Sequence, residues 1–267
     1  MRNAQVPTVS LPGHGTGSSR NDHVPASGGS FPVTVRWVFP LPGRLDDAVR
    51  IQERLRDEQP APPVTCWSRV AGADVAYAGD LAFAAVVVMA GAPPRLHSRA
   101  EASSWARFPY IRGFFAFREV PALLEAFALL YPLPDLVLAQ GHGYAHPRRA
   151  GMALHLGKVL GVPSIGVAGS LMPGMDAAEP GYARGSTSQV TMEGEVVGMA
   201  VRTLESARPV YVSSGFRTTL HDAVRVVVEY SHGRRYPLPL SLADRAARDM
   251  RSRSPGSTGR PPPVPAV

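Results

Sequence analysis

The stretch from residue 136 to residue 168 constrains the fold of this chain more than any other part of its sequence. A short apolar run over 136–139 predicts a buried strand, helical spacing follows over 148–160, and a second β-type run covers 164–168. A strand, a helix and a strand in this order form a βαβ unit, whose right-handed crossover makes the two strands parallel. The sequence therefore predicts an α/β fold that contains parallel strands.

Other elements are predicted on both sides of this unit. Two β-type runs, 70–77 and 81–89, are joined by turn residues, which is the pattern of an antiparallel hairpin. The last helix is expected to have Ser241 as its cap. The remaining predictions are helices over 45–58, 117–130, 220–230 and 241–250, strands over 95–98 and 210–213, and a hairpin over 189–201. The fold class is thus α/β, with antiparallel strands first, parallel strands later, and helices flanking the sheet.

The two ends of the chain lack the apolar periodicity of the middle. Residues 1–30 and 251–267 are rich in Gly, Ser and Pro, so we expect two disordered arms around one domain at 31–250. The longest apolar run, 82–92, is too short to cross a bilayer, and no segment resembles a signal peptide. The single cysteine, Cys66, excludes an internal disulfide and is interpreted as a small core residue. A cytoplasmic monomer without membrane contact is expected.

The net charge of +7 comes almost entirely from arginine, because Lys158 is the only lysine in the sequence. The planar guanidinium binds phosphate with two parallel hydrogen bonds, which favours a nucleic acid or another polyanion as partner. A genome rich in guanine and cytosine would also enrich arginine, and charge alone does not identify a site. Both interpretations stay open on composition.

A glycine loop follows the strand at 136–139, where open α/β sheets usually carry their site. Gly141 and Gly143 permit sharp turns or close approach to a ligand, and His142 and His146 lie in the same loop. A zinc pair at this spacing is a weak alternative, because the residues lie on a Gly/Pro loop without an HExxH pattern. A dinucleotide site is also poorly supported, since histidine occupies the position of the third glycine.

Acidic side chains on separate elements suggest a metal site. Asp74 is the only acid in its apolar strand, Glu119 lies at a helix start, and Gln140 ends the strand at 136–139. Oxygen ligands that meet at a sheet edge suit Mg²⁺, which can activate water and neutralise a leaving oxygen in phosphodiester hydrolysis. Taken alone, Glu119 could simply complement a helix dipole. An isolated charge such as Asp74 in an apolar strand is costly unless it binds something.

Four separated blocks resemble the endonuclease V family, the deoxyinosine-directed nucleases. They are VAGADVAYAGDLAFAAVVVM, PYIRGFFAFREVPALLEAF, PDLVLAQGHGYAHPRRAGMALHLGKVLGVPSIGVAG and PVYVSSGF, within residues 45–248. The resemblance implies a ribonuclease-H-like fold and a Mg²⁺ or Mn²⁺ site. It also implies cleavage at the second phosphodiester on the 3′ side of a hypoxanthine base, in DNA or RNA.

The resemblance assigns roles by position. Asp74 and Glu119 match metal carboxylates, and His146 matches a histidine beside the scissile phosphate; these three are the expected catalytic residues. Residues 109–111 match a wedge that separates the strands where the base is turned out. The expected metal ligands are Asp74, Glu119 and Gln140. The residues expected to contact nucleic acid are Tyr110, Arg112, Gly141, His142, Gly143 and Arg148. Arg148 and Arg149 also stand at a predicted helix start, where an anionic partner would relieve their unfavourable charge.

Three positions depart from the family pattern. Gln140 stands where an aspartate is usual, Gly169 where a lysine is usual, and Arg112 where the wedge has a proline. Glutamine removes a full negative charge from a metal site, and losing a stabilising cation typically costs a few kcal/mol in the transition state. The expected function is a slow or inactive metal-dependent endonuclease. A non-cleaving module for modified or unpaired bases and a basic partner-binding protein remain as alternatives.

Overall fold

The computed structural model describes residues 41–58 and 62–254, which fold as a mixed sheet covered by helices on both faces. The helices are α1 (Leu45–Asp57), α2 (Phe115–Phe127), α3 (Met152–Leu160), α4 (Leu220–Tyr230) and α5 (Leu238–Arg253). The strands are β1 (Arg69–Ala78), β2 (Leu81–Ala90), β3 (Arg95–Trp105), β4 (Leu136–Gln140), β5 (Ser164–Ala168), β6 (Met175–Ala177), β7 (Thr187–Met192), β8 (Glu195–Val201) and β9 (Val210–Ser214).

The strands of the sheet lie in the order β3-β2-β1-β4-β5-β9-β8-β7-β6. β1, β2 and β3 pair antiparallel, whereas β4 is parallel to both β1 and β5. β9 returns antiparallel to β5, and β8, β7 and β6 continue the sheet antiparallel. This arrangement confirms the predicted order of antiparallel strands followed by a parallel βαβ unit.

Each face of the sheet has its own apolar core. Val137 and Ala139 of β4 point into a core with α2 and α3, and Leu136 and Leu138 point into another with α4 and α5. All four are 0% exposed, and full burial of one such Val or Leu side chain contributes about 1.5–3 kcal/mol. A strand buried on both faces reads as a continuous apolar run, which is why the sequence identified β4 so clearly.

Several predicted boundaries differ from the structure. β3 is much longer than the predicted 95–98, because it is a polar edge strand whose sequence has little apolar alternation. The three-residue strand β6 was not predicted. α3 begins at Met152 rather than at 148, because the preceding residues are irregular and Arg149 has a left-handed φ of 55°. The prediction that Arg148 and Arg149 start a helix was therefore wrong.

The C-terminal helix and the cysteine also required correction. α5 begins at Leu238 after Pro237, and Ser241 lies inside it, where its hydroxyl donates to the Tyr236 carbonyl instead of capping the helix. The helix continues to Arg253, beyond its predicted end at 250. Cys66 is exposed, so its assignment to the core was wrong. Residues 1–30 and 255–267 of the predicted arms lie outside the described part of the chain. Within residues 41–58 and 62–254, the helices are too short or too polar for a bilayer span.

Candidate active site

A cavity of about 440 Å³ opens at the carboxyl end of β4, where β1, α2 and the loop after β5 also meet. The predicted site residues that line it are Asp74, Tyr110, Arg112, Glu119, Gln140, Gly141, His142 and His146. Gly169, singled out as a departure from the family pattern, lies in the wall as well. Two predicted nucleic-acid contacts, Gly143 and Arg148, are outside this lining.

Asp74 and Glu119 form the acidic centre of the cavity. Desolvation raises the pKa of Asp74 to about 7 and the pKa of Glu119 to about 8, and the charge of Asp74 adds to the shift of Glu119. One backbone hydrogen bond, from the Val75 amide to Asp74 Oδ1 at 2.8 Å, opposes the shift of Asp74. Carboxylates with raised pKa values in one cleft are typical of acid–base or cation-binding sites.

A third carboxylate, Asp244 of α5, was missed by the sequence reasoning. It lies within hydrogen-bonding reach of Asp74 and contributes to the raised pKa of that residue. Its own charge is balanced by Arg248, which donates through Nε to Oδ1 at 2.7 Å and through Nη2 to Oδ2. In the sequence this i,i+4 pair is an ordinary helix-surface ion pair. The one available signal was Gly72, a glycine inside a strand.

Gly72 explains how α5 reaches the site. A Cβ at this position would lie 2.2 Å from the backbone carbon of Pro239, so only glycine permits α5 to pack directly on β1. Glycine in a strand interior commonly marks such a close backbone approach. Because Asp74 is two residues further along β1, the contact brings the middle of α5 to the carboxylates.

The side-chain oxygen atoms in the cavity are of the kind that a hard divalent cation binds, but few of them are available as ligands. Asp74, Glu119 and the neutral side-chain oxygen of Gln140 line one cavity, and oxygen is the donor that Mg²⁺ and Mn²⁺ prefer. Across residues 41–58 and 62–254, no group of three or more His, Cys, Asp or Glu side chains is close enough to share an ion. Gln140 lines the same cavity as the two carboxylates and contributes an oxygen without a negative charge.

The partly buried acid Glu119 leads us to expect an unusual pH dependence of stability for the metal-free protein. Burial raises the pKa of Glu119 in the folded protein to about 8, above its ordinary value of 4.5. Because the folded protein holds the Glu119 proton more tightly than the unfolded chain, the side chain favours the folded state fully below pH 4.5. This stabilisation is lost as the pH rises toward 8. We expect Glu119→Gln to be more stable than the wild type by a few kcal/mol at about pH 8.5, with little difference near pH 5. Denaturant unfolding in EDTA at both pH values measures this, and parallel stability profiles would contradict it.

His146 is buried with both ring nitrogens engaged. Nδ1 accepts from the backbone amide of Arg148 at 3.2 Å, so the ring proton lies on Nε2, which donates to the Gly113 carbonyl at 3.0 Å. Desolvation and the charge of Arg148 lower the pKa of His146 to about 4, so the ring is neutral. A proton transfer by His146 would break one of these bonds, and the structure therefore favours a positioning role.

His142 also has a committed nitrogen. Its Nε2 donates to the Ser170 carbonyl at 3.0 Å, and desolvation lowers its pKa to about 4. Zinc would need a free nitrogen from both His142 and His146, and His146 has none. The zinc alternative therefore has no support from this geometry.

The two loop glycines are required for different reasons. Gly141 lines the cavity with a left-handed φ of 132°. Gly143 instead packs against β9, because a Cβ there would lie 2.1 Å from the Ser214 carbonyl oxygen, and its amide donates to Ser213 Oγ at 2.8 Å. Gly143 therefore supports the loop from behind, and its amide is not free to bind a base.

The wall at Gly169 is closed by two side chains from the segment before α5. A Cβ on Gly169 would lie 2.4 Å from Tyr236 Oη and 3.9 Å from Arg235 Nη2. The Arg235 guanidinium is fixed there by donation to the carbonyls of Gly169 at 3.2 Å and Pro209 at 2.9 Å. Tyr236 thus occupies the space that a longer side chain at 169 would need.

The rim of the cavity carries the predicted wedge. Tyr110 is 73% exposed, and its ring packs 4.7 Å from that of Phe115. Arg112 is exposed beside it. An exposed aromatic ring with a neighbouring cation is a suitable surface for an unstacked base and its phosphate.

Comparison with known proteins gives a consistent result. The family model described as Endonuclease V matches residues 49–245. Endonuclease V of Roseiflexus castenholzii is 42% identical over 217 residues, covering 79% of this chain and 96% of that protein. The crystal structure of Endonuclease V from Streptomyces avermitilis has 36% identity and a TM-score of 0.74, covering 82% of this chain and 98% of the other. Ciona intestinalis Endonuclease V, in complex with a 24mer DNA containing an inosine followed by a ribo-adenosine, has 25% identity and a TM-score of 0.68, covering 78% and 98%.

Proposed function

The chain belongs to the endonuclease V family of nucleic-acid endonucleases and has its ribonuclease-H-like fold, and we propose that it cleaves near deoxyinosine or inosine in a metal-dependent reaction slowed by Gln140 and Gly169. The observation that carries the proposal is the pair of carboxylates, Asp74 and Glu119, with raised pKa values in one cavity. The substrate is proposed from the Ciona relative, whose bound DNA contains inosine.

Asp74, Glu119 and the Gln140 side-chain oxygen would hold Mg²⁺ or Mn²⁺. When bound, the ion supplies positive charge that keeps both acids ionised and polarises a phosphate oxygen. Asp74 and Glu119 would fix the position of the ion within the cavity. Tyr110 and Arg112 at the rim would receive the unstacked base and the backbone beside it.

Two features of the same cavity support a reduced rate. Gln140 contributes no charge, and the additional carboxylate near Asp74, that of Asp244, is balanced by Arg248. At Gly169, the Tyr236 hydroxyl fills the space, and the neighbouring cation, Arg235, is bonded to backbone carbonyls. A transition state with growing negative charge therefore gains less stabilisation here than from a free lysine.

A non-cleaving base-binding module is the second candidate. It is favoured by one observation, the neutral His146, which has no free ring nitrogen for proton transfer. In this case the rim and glycine loop would retain inosine recognition after loss of the chemistry.

Incubation of a labelled duplex that contains one inosine with Mg²⁺ or Mn²⁺ tests the proposal. We expect slow cleavage at the second phosphodiester 3′ to the inosine, and Asp74→Asn should reduce the rate on the order of a hundredfold or more. A matched adenosine duplex controls for specificity. Inosine binding without cleavage would favour the second candidate, and equal binding to both duplexes would contradict both.

A further inference from the structure

One backbone carbonyl beside the cavity, that of Gly113, accepts hydrogen bonds from three side chains. Its donors are Gln52 Nε2 at 2.9 Å, His146 Nε2 at 3.0 Å and Arg148 Nη2 at 3.1 Å. A carbonyl oxygen has two lone pairs, so three donors on one oxygen are an unusual concentration. Gly113 directly follows the rim residues Tyr110 and Arg112, and it lines the cavity itself.

The donor on α1, Gln52, is buried although it is polar. It is 1% exposed, and the second proton of its amide donates to the Ala150 carbonyl at 3.3 Å. Its oxygen accepts from Arg148 Nε at 2.5 Å. Every hydrogen-bonding atom of the amide is therefore used, and all its partners belong to the two loops that border the cavity. Ala48 and Gln52 are the two buried residues of this helix.

Arg148 completes the arrangement from the other loop. Its guanidinium carbon lies 4.3 Å from the centre of the Phe114 ring, a cation–π contact next to the carbonyl that it binds. Gly113 has a left-handed φ of 82°, and a Cβ there would lie 3.3 Å from Arg148 Nη2, so glycine permits this approach. The Nε and Nη2 atoms of Arg148 are thus committed inside the protein and not offered to a phosphate.

We propose that Gln52 is a positioning residue that, together with His146 and Arg148, fixes the Gly113 carbonyl and so holds the Tyr110 rim in its nucleic-acid-binding position. The identity of the ligand rests on the proposed function. The role of Gln52 in holding the rim rests on the structure alone. It assigns Arg148 an indirect role through the rim, and it gives His146 a function that needs no proton transfer. A rim held in one conformation loses less conformational entropy when nucleic acid binds.

Gln52→Met tests the inference, because methionine has a similar size and cannot make these hydrogen bonds. Arg50→Met is the matched control, since Arg50 lies on the exposed side of the same helix with 71% of its side chain accessible. For Gln52→Met we expect a Kd for the single-inosine duplex about tenfold higher and a single-turnover rate at saturating duplex within about threefold of wild type. Arg50→Met should leave both values unchanged.

Hydrogen exchange of the free protein provides a readout that does not depend on nucleic acid. Amides of residues 110–114 should exchange faster in Gln52→Met than in the wild type and in Arg50→Met. Arg148→Gln removes the hydrogen bonds that Arg148 makes to Gln52 and Gly113 and should have the same effect. This variant replaces Gln52→Met in the test if Gln52→Met does not fold. Unchanged exchange at 110–114 in the folded variant would overturn the inference. Absence of inosine binding by the wild type would contradict the proposed function. The exchange result would still show whether Gln52, His146 and Arg148 fix the Gly113 carbonyl.

Discussion

The combined substitutions Gln140→Asp, Gly169→Lys and Tyr236→Ala are expected to increase cleavage of an inosine duplex by about two to three orders of magnitude. The first change adds a third negative charge to the cavity that holds Asp74 and Glu119. The second adds a cation at the cavity wall to offset charge on the phosphate. Single-turnover rates with Mn²⁺ measure the effect directly.

The third substitution follows from the structure. A Cβ at position 169 would lie 2.4 Å from Tyr236 Oη, so a lysine there must displace this ring before it can reach the phosphate. The double variant without Tyr236→Ala should therefore gain less than the triple variant. Tyr236→Ala alone is the control and should not increase the rate. Equal rates for the triple variant and the wild type would show that Gln140 and Gly169 do not limit the reaction.

Gly143→Ala is expected to destabilise the protein on the order of 3–5 kcal/mol, a size reached only by severe structural conflicts. The added Cβ would lie 2.1 Å from the Ser214 carbonyl oxygen and 2.9 Å from its carbon, and backbone atoms cannot move aside as a flexible side chain can. Separation of the two segments would weaken the bond from the Gly143 amide to Ser213 Oγ and the bond from the Tyr144 amide to the Ser214 carbonyl.

Gly43→Ala is the matched control for this substitution. A Cβ there has nothing within 4 Å, so its effect should stay within about 0.5 kcal/mol. Urea unfolding of the three proteins provides the free energies. A Gly143→Ala variant as stable as Gly43→Ala would show that the loop is not packed against β9 in this way.

The sequence predicted the centre of the fold well, because buried elements have strong patterns. β5 and α4 have the predicted bounds of 164–168 and 220–230. Prediction was weaker in the polar edge strand β3 and in the irregular residues before α3. In those places tertiary contacts, such as the bonds made by Arg148, determine the backbone and leave no local periodicity.

The site was predicted in part for a similar reason. Asp74 and Glu119 stand out in apolar segments and do meet in one cavity. Asp244 does not stand out, since its pairing with Arg248 is typical of any exposed helix, and only the packing of α5 on Gly72 brings it to Asp74. The contact between Gly169 and Tyr236 was not predicted either, because the two residues are far apart in the sequence.

We propose that Gln140 weakens the binding of a divalent cation at the proposed site, because it supplies an oxygen but no negative charge. Titration with Mn²⁺, with the free ion followed by electron paramagnetic resonance, tests it in the wild type, Gln140→Asp and Asp74→Asn. We expect Gln140→Asp to bind Mn²⁺ at least about tenfold more tightly than the wild type, because affinity follows the number of charged ligands, and Asp74→Asn to bind more weakly. Equal Mn²⁺ affinity in all three proteins would contradict the claim.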